Sequence, residues 1–342
     1  MVATAIALAL GTGCGATSAG TTNAPAGAAN APAGAANAPA GALPRFAVVR
    51  HIRRPLDLAG PLAGRSLVVA AHGRLLTLVA SGRLSVFASA YDRPGNAEPY
   101  IAAPAPGHAG CSFGTDTVYV LRLYGGRGVV AVRRHGPVRR FARLTTPGLI
   151  NGIAFDESGG FGHRLLVTIN DGAHTTVDAI DCHGVVTTVT RTAPRIEGGI
   201  LVAVAPFGAY AGDLIAPDEK SGRIYAITPS GRTHLVVSSG LSFGQDIGVE
   251  SEVQIPDQQH YTVLGADRRN PGNRHPGDDA LLAIGSATLR GAGVRPFDLL
   301  VGTEGGARLV DVSCRVMSCH AREVAAGPSP AHLEGHLAVT PR

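Results

Sequence analysis

The chain has 342 residues, 30 Lys and Arg against 25 Asp and Glu for a net charge of +5, and 46 glycines with 23 prolines but no tryptophan. That much Gly and Pro excludes a protein of long helices, and 45% hydrophobic residues with only 5% aromatics leave a core of Val, Leu, Ile and Ala, suited to strands. Lys220 is the only lysine and no basic stripe is interleaved with aromatics, so the cationic excess reads as compositional and no nucleic-acid partner is expected.

Residues 1–14 form a leader. Val2 to Leu10 is an apolar run too short to span a bilayer but suited to a signal-peptide core, and Leu10-Gly11-Thr12-Gly13-Cys14 resembles a bacterial lipobox with Cys14 as the lipidation site. Residues 15–45 read as a tether. Within them a seven-residue unit of Asn, Ala, Pro and Gly starts at Asn23, Asn30 and Asn37, with no large side chain to offset the entropy of ordering. A leader, a cysteine and a spacer ahead of a folded body lead to the expectation of an exported protein, either a cell-envelope lipoprotein held to the membrane only by its lipid anchor or a secreted one.

From residue 46 to 342 the chain repeats. In the first unit, Leu67–Ala71, 75–80 and 84–88 read as strands around a Ser81-Gly82 turn. Short marks of a small or polar residue, a glycine and an apolar run recur at Gly110, Gly152, Gly198 and Gly248, with steps of 42, 46 and 50 residues, and again at Gly335. The third unit continues with strands at 165–169, 177–181 and 185–189. In the fourth they fall at 213–217, 223–228 and 233–237. Arg133, Arg134, His135, Arg139 and Arg140 flank a hairpin turn and read as a solvated edge. A Pro/Gly-rich insertion at 267–279 and a helical turn at 285–293 interrupt the pattern where a fifth mark is due, which leaves five or seven units open beside six. Four short strands per unit of 40 to 50 residues is the period of a propeller blade. The expected fold is therefore all-β, a six-bladed β-propeller of four-stranded blades. Its C-terminal strand, 334–341, is expected to close the ring as the innermost strand of blade one, beside Leu67–Ala71.

The Gly-apolar first strands, the second strands ending in acidic turns and third strands such as Arg223-Ile-Tyr-Ala-Ile227 resemble the senescence-marker-protein/gluconolactonase and NHL-repeat propellers of the TolB-like group, over roughly residues 60–341. The resemblance implies a channel site in which Glu, Asn and Asp side chains hold a divalent metal. Glu334 and Asn151 stand in Glu-Gly and Asn-Gly motifs like those of that group. Glu197 and Asp246 begin the corresponding strands of other blades, although Glu250 and Glu252 compete for blade five. Glu334, Asn151, Glu197 and Asp246 are thus the candidate channel residues, and the first three are the candidate metal ligands. No cofactor is certain from the residues; Ca²⁺ or another divalent cation is the one their oxygen donors would suit.

Second strands return to the same face and end in Asn170-Asp171, Asp218-Glu219, Asp267 and Glu304, giving an acidic mouth. These acids read first as caps of turn N–H groups. His332 and His336, four apart on a strand, lie about 13 Å apart and do not read as a zinc pair. No phosphate-binding Gly loop with a lysine occurs. Cys314 and Cys319 flank a hairpin turn and are expected to form a disulfide, while Cys111 and Cys182 are expected on opposite faces and unpaired. Two functions follow as expectations. One is a monomeric module that binds a small polar ligand, a glycan or a protein partner on the acidic face. The other is a metal-dependent lactonase or related hydrolase.

Overall fold

The computed structural model describes residues 42–91, 99–123, 126–244 and 246–341. The leader, Cys14 and nearly all of the tether lie outside these residues. Strand β1 (Ala47–His51) is exposed along its length. It is followed by blade one, β2 (Pro55–Ala59), β3 (Leu67–Ala71), β4 (Arg74–Leu78) and β5 (Leu84–Val86). Blade two holds β6 (Ile101–Ala102), β7 (Thr117–Arg122), β8 (Gly128–Arg133) and β9 (Val138–Arg143). Blade three holds β10 (Leu149–Phe155), β11 (Leu165–Asn170), β12 (His174–Ile180) and β13 (Val186–Pro194). Blade four holds β14 (Leu201–Val202), β15 (Leu214–Asp218), β16 (Arg223–Ile227) and β17 (Thr233–Ser238).

The last two blades are interleaved. The chain forms β18 (Val249–Gln254), the inner strand of blade five, and then leaves it for β19 (Tyr261–Asp267) and β20 (Ala280–Gly285) of blade six. A helical turn, α1 (Ser286–Gly291), brings it back to blade five for β21 (Leu299–Thr303), β22 (Leu309–Arg315) and β23 (Ser318–Ala325). Strand β24 (Leu333–Pro341) completes blade six from the inside, and β1 completes it from the outside. The protein is a six-bladed β-propeller of antiparallel four-stranded blades.

This interleaving explains the missing fifth mark. The helical turn at 285–293 is present, but the chain re-enters blade five at its second strand, so no inner strand is needed there. It also corrects the expected closure. Residues 335–340 do take an innermost position, but their neighbour is β19, with Ala266 opposite Glu334 and Val263 opposite Val339, not Leu67–Ala71. Blade one has its own inner strand, β2, paired to β3. Pro55 and Asp57 hide that strand in the sequence. Asp57 is fully buried because its carboxylate accepts N–H bonds from Leu58, Ile101 and His336 at 2.8, 2.6 and 2.6 Å, and one from His336 Nδ1 at 2.9 Å. One carboxylate thus ties blades one, two and six together. Gly335 is required there: at φ 63° a Cβ would stand 2.4 Å from the Asp57 carboxylate.

The core lies between blades. Middle strands such as β11, Leu-Leu-Val-Thr-Ile-Asn, are buried throughout because neighbouring blades cover both faces, whereas outer strands alternate or lie open. Arg134 crosses from blade two to blade one, donating to Ser66 Oγ at 3.1 Å and resting 5.3 Å from the centre of the Phe87 ring. It is a bolt between blades, not part of a solvated edge.

Both cysteine pairs are bonded. Cys314–Cys319 bridges β22 and β23 as expected. Cys111–Cys182 corrects the expectation that these two stay apart. The inner strand of blade two is the Pro-flanked pair Ile101–Ala102, so residues 109–113 follow it in the β6–β7 connection. That places Cys111 at the same end of the ring as the β12–β13 turn that carries Cys182. The bond closes a 71-residue separation across two blades, against 5 residues for the hairpin bond. By chain entropy the first is worth about 4 kcal/mol and the second about 2. Cys182→Ser is therefore expected to lower the denaturant midpoint roughly twice as far as Cys319→Ser, as read by chemical unfolding monitored by circular dichroism.

Candidate functional site

The six inner strands enter from one face, and second strands return to it, so strand starts and strand ends meet around one mouth. Four carboxylates gather there from three blades. Glu219 follows β15, Glu250 opens β18, Glu304 follows β21 and Glu334 opens β24, and all four are buried. Asp246, exposed at φ 63°, joins them from the rim, where its N–H bonds the Glu219 carboxylate. One ligand atom each from Glu304, His332 and Glu334 lie within 4.8 Å of one another, and so do those of Glu219, Asp246 and Glu304. Glu304 is common to both groups.

Partners surround the cluster without neutralising it. His332 Nε2, fully buried, lies 2.8 Å from Glu304 and 3.3 Å from Glu334. Arg268 Nη1 holds Glu334 at 2.8 Å, and Tyr100 donates its hydroxyl to Glu250 at 2.5 Å. Like charges at this spacing repel by about 3 kcal/mol per pair at an effective dielectric near 20. The protonation of the site follows. Burial first, and then the charges of Glu334 and Glu219, push Glu304 up to about 11. Burial first, with Glu197 adding to it, pushes Glu219 to about 7. Burial and the Glu304 and Glu334 charges also hold Glu250 well above the usual carboxylate range. Burial, the largest single influence, opposes a charge on His332, but its bond to Glu334 and the charges of Glu334 and Glu250 together outweigh it and its pKa is raised. Near neutral pH the mouth therefore stores protons that a cation could displace.

The structure brings Glu334 and Asp246 into the cluster. Glu197 lies beside it, paired to Arg195, which also holds Asp218 at 3.0 Å. Asn151 is buried in the channel wall, where its Nδ2 donates to the Ile196 carbonyl at 3.1 Å and its Oδ1 accepts from Thr168 at 3.2 Å. Asp171 and Asp218 act as turn caps, Asp171 accepting the Ala173 and His174 N–H groups and Asp218 that of Lys220, while Asp267 accepts the Asp278 N–H of its own connection and also ties in the His332 N–H from 65 residues away. Glu304 is not a cap but the centre of the site. Sequence reasoning placed the strand ends that carry Glu219 and Glu304 at an acidic mouth and read Glu304 first as a turn cap. It weighed His332 only as half of a zinc pair on a strand and had no signal for Arg268 or Tyr100; all three reach the mouth from connections between strands.

No family model matches the chain, and no curated protein is similar to it in sequence. Among solved structures the chain is similar to a calcium-binding protein, regucalcin from Agrobacterium tumefaciens, at 13% identity and a TM-score of 0.49, covering 86% of this chain and 81% of that one. It is similar to a glucose dehydrogenase at 12% identity and a TM-score of 0.48, covering 82% and 90%. A candidate gluconolactonase follows at 9% identity and a TM-score of 0.47, covering 89% and 93%. The likeness is one of architecture.

Proposed function

We propose that the acidic mouth holds a divalent cation, calcium by the chemistry of its donors, and through it binds a small polar ligand in an exported protein. The observation that carries this reading is the pair of adjoining groups, Glu304 with His332 and Glu334 and Glu304 with Glu219 and Asp246, that share the buried Glu304. Oxygen donors without thiolates suit a hard cation, and one such ion would relieve the repulsion that otherwise keeps protons on the acids. Glu304, Glu334 and Glu219 would hold it. Two disulfides suit an oxidising compartment outside the cytoplasm.

Calorimetric titration of chelator-treated protein with CaCl₂, in two buffers of different ionisation enthalpy, tests the reading. Saturable binding is expected, with a Kd on the order of 10⁻⁴ M or tighter. At least one proton should be released per ion at pH 7.5. Titration without heat, and a melting midpoint unmoved by calcium, would sink it. A hydrolytic role draws on one feature, the imidazole of His332 beside the same carboxylates, a group able to move a proton. Only a hydrolase would make the calcium-loaded protein release acid from a simple lactone in a pH-stat.

A further inference from the structure

The Pro/Gly-rich insertion at 267–279 lies against the connection between β21 and β22 and is held there from both sides. The Gly277 N–H donates to the Pro330 carbonyl at 2.6 Å, Asn273 accepts the His275 N–H at 2.8 Å, and His275 Nδ1 donates to the Ser329 carbonyl at 2.9 Å. The fit is close: a Cβ at Gly305 would stand 2.8 Å from the His275 ring and 3.0 Å from the Ile247 Cα. Between the insertion, that connection and the segment leading into β1 is a cavity of about 410 Å³. Gly305 and Ile247 in its wall directly follow Glu304 and Asp246, so the cavity adjoins the acidic mouth.

Its own wall has the opposite charge. Glu323 is the one acid there, and Arg308 takes both of its oxygens, through Nε at 2.7 Å and through Nη2. The Thr303 hydroxyl is spent on the Gly305 carbonyl and the Arg308 N–H. Two arginines remain. Arg45 gives one guanidinium nitrogen to the Gly327 carbonyl at 3.2 Å and has no carboxylate partner among the described residues. Arg274, carried by the insertion, has neither a hydrogen-bond nor an ion-pair partner among them. Three arginines against one glutamate thus leave two positive charges facing one cavity. Ser242 and Ser329 add hydroxyls, and His275, whose Nδ1 must carry its proton to meet a carbonyl, offers Nε2 as an acceptor when neutral.

These groups define the occupant. The volume falls in the range of small-molecule pockets, roughly 300–1,000 Å³. Guanidinium forks pair with the oxygens of phosphates and carboxylates. A carboxylate offers one edge and one charge, whereas a tetrahedral dianion offers oxygens to forks on two different segments and balances both charges. We propose that this cavity binds a small phosphate monoester, with its dianionic head on Arg45 and Arg274 and its hydroxyl-bearing remainder along His275 and the two serines. A phospholipid headgroup, a diester with one charge, would balance only half of that excess. The site is separate from the cation-binding mouth and does not depend on it.

Calorimetric titration of the chelator-treated full chain with glycerol 3-phosphate, at pH 7.5 and low ionic strength, tests the assignment without calcium, so that it fails or stands apart from the cation reading. Saturable binding is expected with a Kd on the order of 10⁻³ M or tighter, and glycerol should give none. Arg274→Ser should weaken binding at least about tenfold, through the loss of a charge-assisted pair. Its melting midpoint should match the parent's, because Arg274 is exposed and bonds nothing in the fold among the described residues. Arg83→Ser removes the same charge from the exposed turn between β4 and β5 and should leave binding within about twofold, since distant surface charges are screened. The proposal fails if the parent chain shows no saturable binding of glycerol 3-phosphate, or if Arg83→Ser weakens it as much as Arg274→Ser does. It also fails if Arg274-dependent co-sedimentation with phosphatidylglycerol vesicles is found in its place.

Discussion

Glu304→Gln is expected to raise the melting midpoint of the cation-free protein at pH 8 and to weaken calcium binding by at least tenfold. The sign follows from where the protons sit. Glu304 titrates at about 11 and Glu219 at about 7 in the folded chain, against 4.5 for an ordinary glutamate. The native state therefore binds more protons than the unfolded chain above pH 4.5, and stability falls as pH rises, through 7 for Glu219 and up to 11 for Glu304. Each excess proton contributes a slope of about 1.4 kcal/mol per pH unit, or roughly 3 °C in the midpoint. His332 acts in the same direction, since a raised histidine stabilises below its unfolded value and loses that contribution as pH climbs past its folded one. The cation-free protein should thus be most stable near pH 4–5. Calcium should restore the midpoint at pH 8 and do little at pH 5, where protons already occupy the site. Differential scanning calorimetry at both pH values reads all of this. A Glu304→Gln variant whose midpoint and calcium response match the parent would show that Glu304 is not the centre of the site.

Removing β24 should have the largest effect on the fold itself. A chain ended at His332 loses Leu333, Leu337 and Ala338 from the core, withdraws His336 from Asp57, and leaves β18 and β2 facing a gap. The loss exceeds the usual stability of a domain, so no cooperative thermal transition is expected. Removing residues 1–51 instead takes away the exposed β1 and leaves the inner ring complete. That chain should still unfold cooperatively, at a lower midpoint, because Phe46 leaves the core with it. Near-ultraviolet circular dichroism on heating distinguishes the two, and a cooperative melt of the chain ended at 332 would contradict the closure described here.

Strand positions were legible because they are local. Leu165–Asn170 and Arg223–Ile227 have the β-branched and apolar runs, bounded by Gly and Asp turns, that any four-stranded repeat shows, and the structure places strands there. The direction of each strand is also local once the repeat is recognised, so the acidic ends of the second strands could be put on one face from the sequence. The inner strands of blades one and two were hidden for the opposite reason. Asp57 interrupts the first and prolines flank the second, and both are stabilised by partners far away in the chain.

Local pattern was enough for the four-strand repeat, the all-β propeller, the Cys314–Cys319 hairpin bond and the membership of Glu334 and Asp246 in one mouth. Long-range packing was needed to make the C-terminal strand close blade six instead of blade one and to bring Cys111 to Cys182. It also put Glu304 with His332 at the centre of the site and Asn151 in the wall. Short-range pattern sets whether a segment becomes a strand and which way it runs. Which sheet it joins, and which carboxylates then crowd together, depends on pairing between segments remote in the chain. Asp57 meets His336 across 279 residues, and Phe46, just ahead of β1, bonds Ala326. No local pattern records such pairings, because their energy exists only once both segments are in place.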